Sequence, residues 1–193
     1  VDYYGGGLNL ERASEPLLLE HNGNRIAFLG CNVTGPENNW ATSERPGTLK
    51  CDLDEMDSTV QILTSQGYNT IFTFQHFEFN TFQAVQQMRD DFWRIAKAGA
   101  RVVSGSQAHY PHGFDFVDSS FIHYGLGNFF FDQMYTYWGM ATIDVHYFYD
   151  NRYINASPLA IINENYGQPR LMNEEEEVEF FEKLKPFSFY YEK

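Results

Sequence analysis

The stretch "ARVVSGSQAHYPHGFDFV", Ala100 to Val117, decides how the rest of the chain is read. It opens on a short apolar run, "ARVVSG", which has the length and the β-branched content of a buried strand. A polar loop follows, carrying Gln107, His109 and His112, and then "FDFV" resumes a strand-like pattern with no helix between. Upstream of this stretch strands alternate with helices; downstream they do not.

Working towards the amino terminus, Gly99 is placed to stop a helix predicted from about Thr81 to Ala98, which turns Phe82, Val85, Phe92 and Ile95 inward. Before it stands a second strand, "NTIFTF". Before that comes a helix with Asp52 as N-cap, Leu53, Met56, Val60 and Leu63 at helical spacing, and Gly67 as its stop. A third strand, "NRIAFLG", Asn24 to Gly30, follows a His-Asn-Gly-Asn turn signal. Strand, helix, strand, helix, strand predicts an α/β fold with "RIAFLG", "TIFTF" and "ARVVSG" in one largely parallel sheet. The segment "GCNVTGPENNWATSERPG", Gly30 to Gly47, is longer than an ordinary connection and reads as a functional or mobile loop.

Towards the carboxyl terminus "FDFV", "SFIHYG", "MATIDVHYFY" and "RYINASPLAII" read as neighbouring strands of a mixed or antiparallel sheet. An acidic run, Glu174 to Glu177, leads into "VEFFEKLK", where an acidic first turn and a basic last turn suit a short helix. There is no internal repeat.

Composition narrows the function classes. The chain has 193 residues, 43% hydrophobic and 18% aromatic, enough to bury a sizeable core. Its 26 acidic and 13 basic side chains give a formal charge of −13, which argues against nucleic acid and anionic lipid as partners. No apolar run approaches the roughly 20 residues that cross a bilayer. Cys31 and Cys51 are not spaced as a zinc knuckle or a redox pair; one disulfide and two free thiols are both open. The sequons at Asn32 and Asn155 establish no compartment.

In open α/β sheets ligands gather beyond the carboxyl ends of the strands. "TIFTF" runs directly into Gln75, His76, Phe77 and Glu78, and "ARVVSG" into Ser106, Gln107, Ala108 and His109, so His76 and His109 are expected to emerge at one edge. His76 stands among aromatics, and such a histidine is often a packed core residue. His109, in a polar loop after a strand, is the stronger site candidate. His112 beside Pro111 reads as exposed or structural, and His21, His123 and His146 as structural.

Four segments, in order, carry a family resemblance: "GGGLNLERASEP" from Gly5, "FQHFEF" from Phe74, "AKAGARVVSGSQAH" from Ala96 and "HYGLGNFFFDQ" from His123. Together they resemble the CapA/PgsA family of bacterial capsule and poly-γ-glutamate synthesis proteins, whose fold is similar to calcineurin-like metallophosphoesterases: mixed sheets flanked by helices. The resemblance runs to about Gln133. It implies residues 1–165 as the carboxyl-terminal part of such a domain and 166–193 as an acidic tail with a short helix.

The resemblance also implies a site. His76 matches the histidine that opens the family's His-Trp-Gly-x-Glu segment, with Glu78 as its glutamate, and His109 matches the last histidine of a Gly-His-x-His-like loop. Gln107 stands where an earlier metal-binding histidine is expected, and a carboxamide is a poorer ligand than imidazole for zinc. The implied metal ligands are therefore His76, Gln107 and His109, for a divalent Mn, Zn or Mg ion, with His76, Glu78 and Asn128 as catalytic candidates. Asn128 orients a ligand or donates to a substrate anion on this reading, and caps a strand on the plain one; Asp132 is assigned a structural hydrogen bond. The family's amino-terminal Asp-x-His, Gly-Asp and Asn-His motifs are not in these 193 residues, so the resemblance implies a partial two-metal site.

The implied function is capsule or poly-γ-glutamate biosynthesis, as a metal-dependent hydrolase acting on an anionic polymer or phosphate ester. The alternatives are a non-catalytic scaffold for polymer export and one half of a complex. Implied partners are other capsule-synthesis membrane proteins, and the implied location is extracellular or at the cell surface, anchored through a segment outside this chain. A surface at −13 repels a polyanion unless cations or a basic patch intervene, and Arg89, Arg94, Lys97 and Arg101 are scattered.

Overall fold

The computed structural model describes residues 1–132 and 136–190, and among them a seven-stranded sheet and a three-stranded sheet organise the chain, with a short two-stranded pair, Gly6–Gly7 with Gly47–Thr48, beside them. The elements in order are β1 (Gly6–Gly7), α1 (Leu10–Ser14), β2 (Leu17–His21), β3 (Asn24–Asn32), β4 (Gly47–Thr48), α2 (Leu53–Ser65), β5 (Asn69–Gln75), α3 (Gln86–Ala98) and β6 (Val102–Ser106). After them come β7 (Phe114–Val117), β8 (Ser120–His123), β9 (Met140–Tyr149), β10 (Arg152–Glu164), β11 (Gln168–Leu171), α4 (Glu174–Leu184) and β12 (Phe189–Tyr190).

The larger sheet has the order β12-β7-β8-β6-β5-β3-β2. Its centre is parallel, as the alternating pattern predicts: β3 pairs β5, β5 pairs β6, and β6 pairs β8. Antiparallel β2 and β7 flank that centre. The fold is thus mixed α/β, with helices packed on the sheet.

The parallel strands are apolar because α2 and α3 cover them. Phe72 and Phe74 of β5 are fully buried, and Phe74 stacks on Phe92 of α3 at 4.6 Å between ring centroids. Met56, Val60 and Leu63 supply the buried stripe of α2, and Asp52 caps it by accepting from the Asp54 and Glu55 amides. Truncating a fully buried ring such as Phe92 to alanine costs about 3–5 kcal/mol.

Two expectations change. The second helix begins at Gln86, not near Thr81, because the preceding turn is used elsewhere. The Phe82 carbonyl accepts from the Gly113 amide, and its ring packs edge-on against Tyr110 and Tyr137, so tertiary contacts override the helical spacing. The late strands also do not lie side by side. "FDFV" and "SFIHYG" supply β7 and β8 of the large sheet, while "MATIDVHYFY" and "RYINASPLAII" supply β9 and β10 of a separate antiparallel sheet, β11-β10-β9. The turn between β9 and β10 places Asp150 and Asn151 at positive φ, as a tight two-residue hairpin requires.

The tail caps this second sheet. A reciprocal pair between Asn173 and Glu176 starts α4, whose Phe180 and Leu184 are buried with Ala160 and Met172. One buried pair ties the sheets together: His123 Nδ1 of β8 lies 2.7 Å from Asp144 Oδ2 of β9. Cys31 and Cys51, left open by the sequence, form a disulfide that closes the 30–47 loop against the end of β3. Among the described residues no helix is long and apolar enough to cross a membrane.

Candidate functional site

The site is set by strand register. Phe74 pairs with Gly105 and Gln75 with Ser106, so β5 and β6 end level and release their loops side by side. The loops then touch twice. Gln75 Nε2 donates to Gln107 Oε1 at 2.7 Å, and Glu78 Oε1 lies 3.7 Å from His109 Nε2. Close approach of β8 to β6 fixes Gly105, where an added Cβ would fall 1.9 Å from the Tyr124 carbonyl oxygen.

Asn128 comes from the loop after β8 and completes the cluster. Its Nδ2 donates to the Trp138 carbonyl at 3.0 Å, which turns its Oδ1 towards His109 Nδ1 at 2.8 Å. That oxygen can only accept, so Nδ1 carries a proton, and Nε2 is the ring atom that faces Glu78. The imidazole is stacked on Trp138 and met edge-on by Phe131. The Asn128 carbonyl accepts from Asn163 of β10, so the second sheet buttresses the loop. His109, Glu78 and Asn128 therefore come together.

His76 and Gln107 are engaged elsewhere. His76 is fully buried among Phe74, Phe77 and Phe92, with Nε2 2.9 Å from Asp91 Oδ2 of α3 and Nδ1 buried without a hydrogen-bond partner. Gln107 is exposed, at φ +82°, and its carboxamide oxygen accepts from Gln75, which in turn accepts from Asn32 Nδ2 at 3.1 Å.

The remaining histidines make other contacts. His112 is not exposed: it is fully buried, Nε2 donates to the Phe79 carbonyl, and desolvation drives it down to about 4. His123 is held by Asp144 and the His112 carbonyl, and His146 by the Tyr153 hydroxyl. His21 is exposed beside Asn22. Asp132 is exposed, and Gln133, where the resemblance ends, lies outside the described residues.

A divalent ion can be tested against this donor set. Ligands at roughly 2 Å from an ion stand about 3–4 Å apart, and the 3.7 Å between Glu78 Oε1 and His109 Nε2 suits two such positions. Of the other implied ligands, His76 has its Nε2 against Asp91 and Gln107 has its oxygen against Gln75. Among the described residues no group of three or more His, Cys, Asp or Glu side chains is placed to hold a metal. The residues present do not fit a complete resident metal centre.

Sequence reasoning gave Asn32, Gln75, Asp91 and Trp138 no role in the site. Asn32 and Gln75 are the last residues of β3 and β5, so the strand-end rule that found His109 applies to them too. Asp91 and Trp138 gave no local signal.

Comparison with curated proteins finds no match. Among solved structures the chain is similar to Haemophilus influenzae NAD nucleotidase, with a TM-score of 0.40 and 11% identity over 91% of this chain. It spans 38% of the length of that protein. The model of the bacterial capsule synthesis protein family PGA_cap matches residues 1–133, and with the four ordered segments inside that range the chain belongs to this family.

Proposed function

We propose that residues 1–193 handle capsule polymer without being a self-sufficient metal-dependent hydrolase. The observation that carries this reading is the divergence of the implied ligands: His76 is bonded to Asp91 and Gln107 to Gln75, leaving His109 and Glu78 as a two-donor cluster. Two donors bind a divalent ion weakly and do not hold the pair of ions that a two-metal phosphoesterase needs. An accessible crest of imidazole, carboxylate, carboxamide and aromatic side chains is suited to holding a polymer segment. The Cys31–Cys51 disulfide supports a location outside the cytoplasm, where such bonds persist.

The test uses the purified 193-residue chain. Calorimetric titration with Mn²⁺ and Zn²⁺ should give dissociation constants weaker than about 10 μM, and a nitrophenyl phosphodiester should show no turnover above buffer. Tight stoichiometric metal binding together with turnover abolished by His109→Ala would overturn the reading. A second reading, a metal-dependent hydrolase acting on a phosphate ester or anionic polymer, draws on the same cluster: Asn128 fixes the His109 tautomer as partners of metal-ligating histidines do. It requires further ligands besides His109 and Glu78.

A further inference from the structure

We propose that the free edge of β9, with the uncovered face of the large sheet beside it, takes an extended, alternately apolar strand of a second polypeptide. The inference is independent of the polymer-handling reading above. β9 is the outermost strand of the smaller sheet and pairs with β10 from Met140 to Tyr149. On its other side the Thr142 amide donates to the Leu126 carbonyl, and among the described residues no backbone group pairs with Ile143–Tyr149 there. Alternation from Thr142 turns the N–H and C=O groups of Asp144, His146 and Phe148 to that open side.

Native sheets blunt their edges with proline, charge or short length. The other edges here conform: β2 follows Pro16 and carries Glu20, β11 has four residues with Pro169 and Arg170 among them, and β12 has two residues. β9 has ten residues, no proline, lysine or arginine, and its one carboxylate, Asp144, is held by His123. Ile143, Tyr147 and Tyr149 stand exposed along it.

The large sheet is uncovered beside this edge. β9 lies over β8, whose Phe121 and His123 are fully buried. β10 and β11 lie towards β7, because α4 packs on Ala160 and Met172 and leads into β12, the partner of β7. The free edge of β9 therefore faces β6, β5 and β3. On the sheet face opposite α3 the cover fades in that direction: Val102 of β6 is fully buried, whereas Ile71 and Thr73 of β5 and Ile26 and Phe28 of β3 are half-buried. Tyr4 shields part of this shelf, its ring 5.7 Å from Phe28 and its hydroxyl 3.1 Å from Thr73.

The shelf selects its occupant. Ile26, Phe28, Ile71 and Thr73 carry no charge on a chain at −13, so the side that meets them is apolar. One added strand satisfies the open backbone of β9 and continues over β6 and β5 the packing that β9 makes on β8. A whole second copy does not fit. The large sheet runs on past the free edge through β6, β5, β3 and β2, and a copy paired edge to edge brings its own overhang into the same space.

The test uses the full 193-residue chain and a capped synthetic peptide of the β9 sequence, solubilised by a polyethylene glycol tail. The peptide carries Asp144→Thr, so that no unpaired carboxylate enters the shelf. Paired antiparallel about His146, it sets its Tyr149 opposite Ile143 and its Tyr147 opposite Val145, aromatic and β-branched pairs that stabilise sheets. Fluorescence anisotropy of the labelled peptide should give a dissociation constant on the order of 10–100 μM, insensitive to salt. N-methylation at peptide positions 144, 146 and 148, which face β9, should weaken binding at least about tenfold, and N-methylation at positions 143, 145 and 147, which face away, less than about threefold. Ile71→Lys places a charge on the shelf and should weaken binding about tenfold, with sedimentation velocity showing a monomer with and without the substitution. No binding at about 1 mM peptide, or equal effects of the two N-methylated peptides, would overturn the inference. So would a concentration-dependent dimer of the chain alone that Ile71→Lys disperses, because it assigns the shelf to a second copy.

Discussion

Replacing Asp144 should loosen the second sheet from the first. Its Oδ2 lies 2.7 Å from His123 Nδ1, and the other ring nitrogen of His123 faces the His112 carbonyl at 3.2 Å. The side chains of His123 and Asp144 are 0% and 5% exposed, and the rings of Phe114 and Phe121 wall the imidazole. Asp144 Oδ1 is buried without a hydrogen-bond partner, so the carboxylate depends on this one imidazole. Removing one member of such a pair leaves the other buried and uncompensated, at a cost of about 3–5 kcal/mol. For a chain of this length each kcal/mol moves Tm by about 2–4 °C, so Asp144→Ala should lower it by roughly 6–20 °C. Asp144→Asn keeps an acceptor for the His123 N–H but loses charge assistance, and should cost about 1–2 kcal/mol. Urea unfolding at pH 7 followed by tryptophan fluorescence, with differential scanning calorimetry, measures both. If Asp144→Ala loses less than about 1 kcal/mol, the pair does not join the sheets and the reasoning fails.

Acid should weaken the fold well before the carboxylates titrate. Burial holds His112 down at about 4, against a nearby 6.5 when unfolded, so the unfolded chain takes up the proton first and stability is lost as pH falls from about 6.5 towards 4. The full effect is about 3 kcal/mol, His146 shifts in the same direction through its own burial, and urea midpoints at pH 7.5, 5.5 and 4.5 should record the decline. A His112→Gln variant whose loss between pH 7.5 and 4.5 equals that of wild type would show that His112 is not the sensor. Reducing the Cys31–Cys51 disulfide, which joins residues 20 apart, should cost about 3 kcal/mol. Intact mass should show no free thiol before reduction, and an unchanged Tm afterwards would mean that the 30–47 loop is held by its other contacts.

Local spacing in the sequence determined the parallel centre of the sheet. Apolar runs of four to six residues separated by amphipathic segments can bury their surface only as strands under helices, and the strand ends then bring the loops of His109 and Glu78 to one edge. The N-cap at Asp52 was legible for the same reason, since its side chain accepts from amides only two and three residues on. What the sequence could not determine depends on groups far apart in the chain. Period-2 alternation marks β9 and β10 as strands but carries nothing about which sheet they join; that was decided by packing against α4 and by the His123–Asp144 pair. The helix start at Gln86 yielded to Phe82, whose carbonyl and ring are taken by residues more than 25 positions on. His76, His109 and Gln107 all leave strand ends in the same pattern, yet a fifteen-residue link to Asp91 buries the first and a 32-residue link to Gln75 turns the last. Only the tertiary structure decides such links, because a side chain's role is fixed by the partner that satisfies its polar atoms, and that partner is a neighbour in space rather than in sequence.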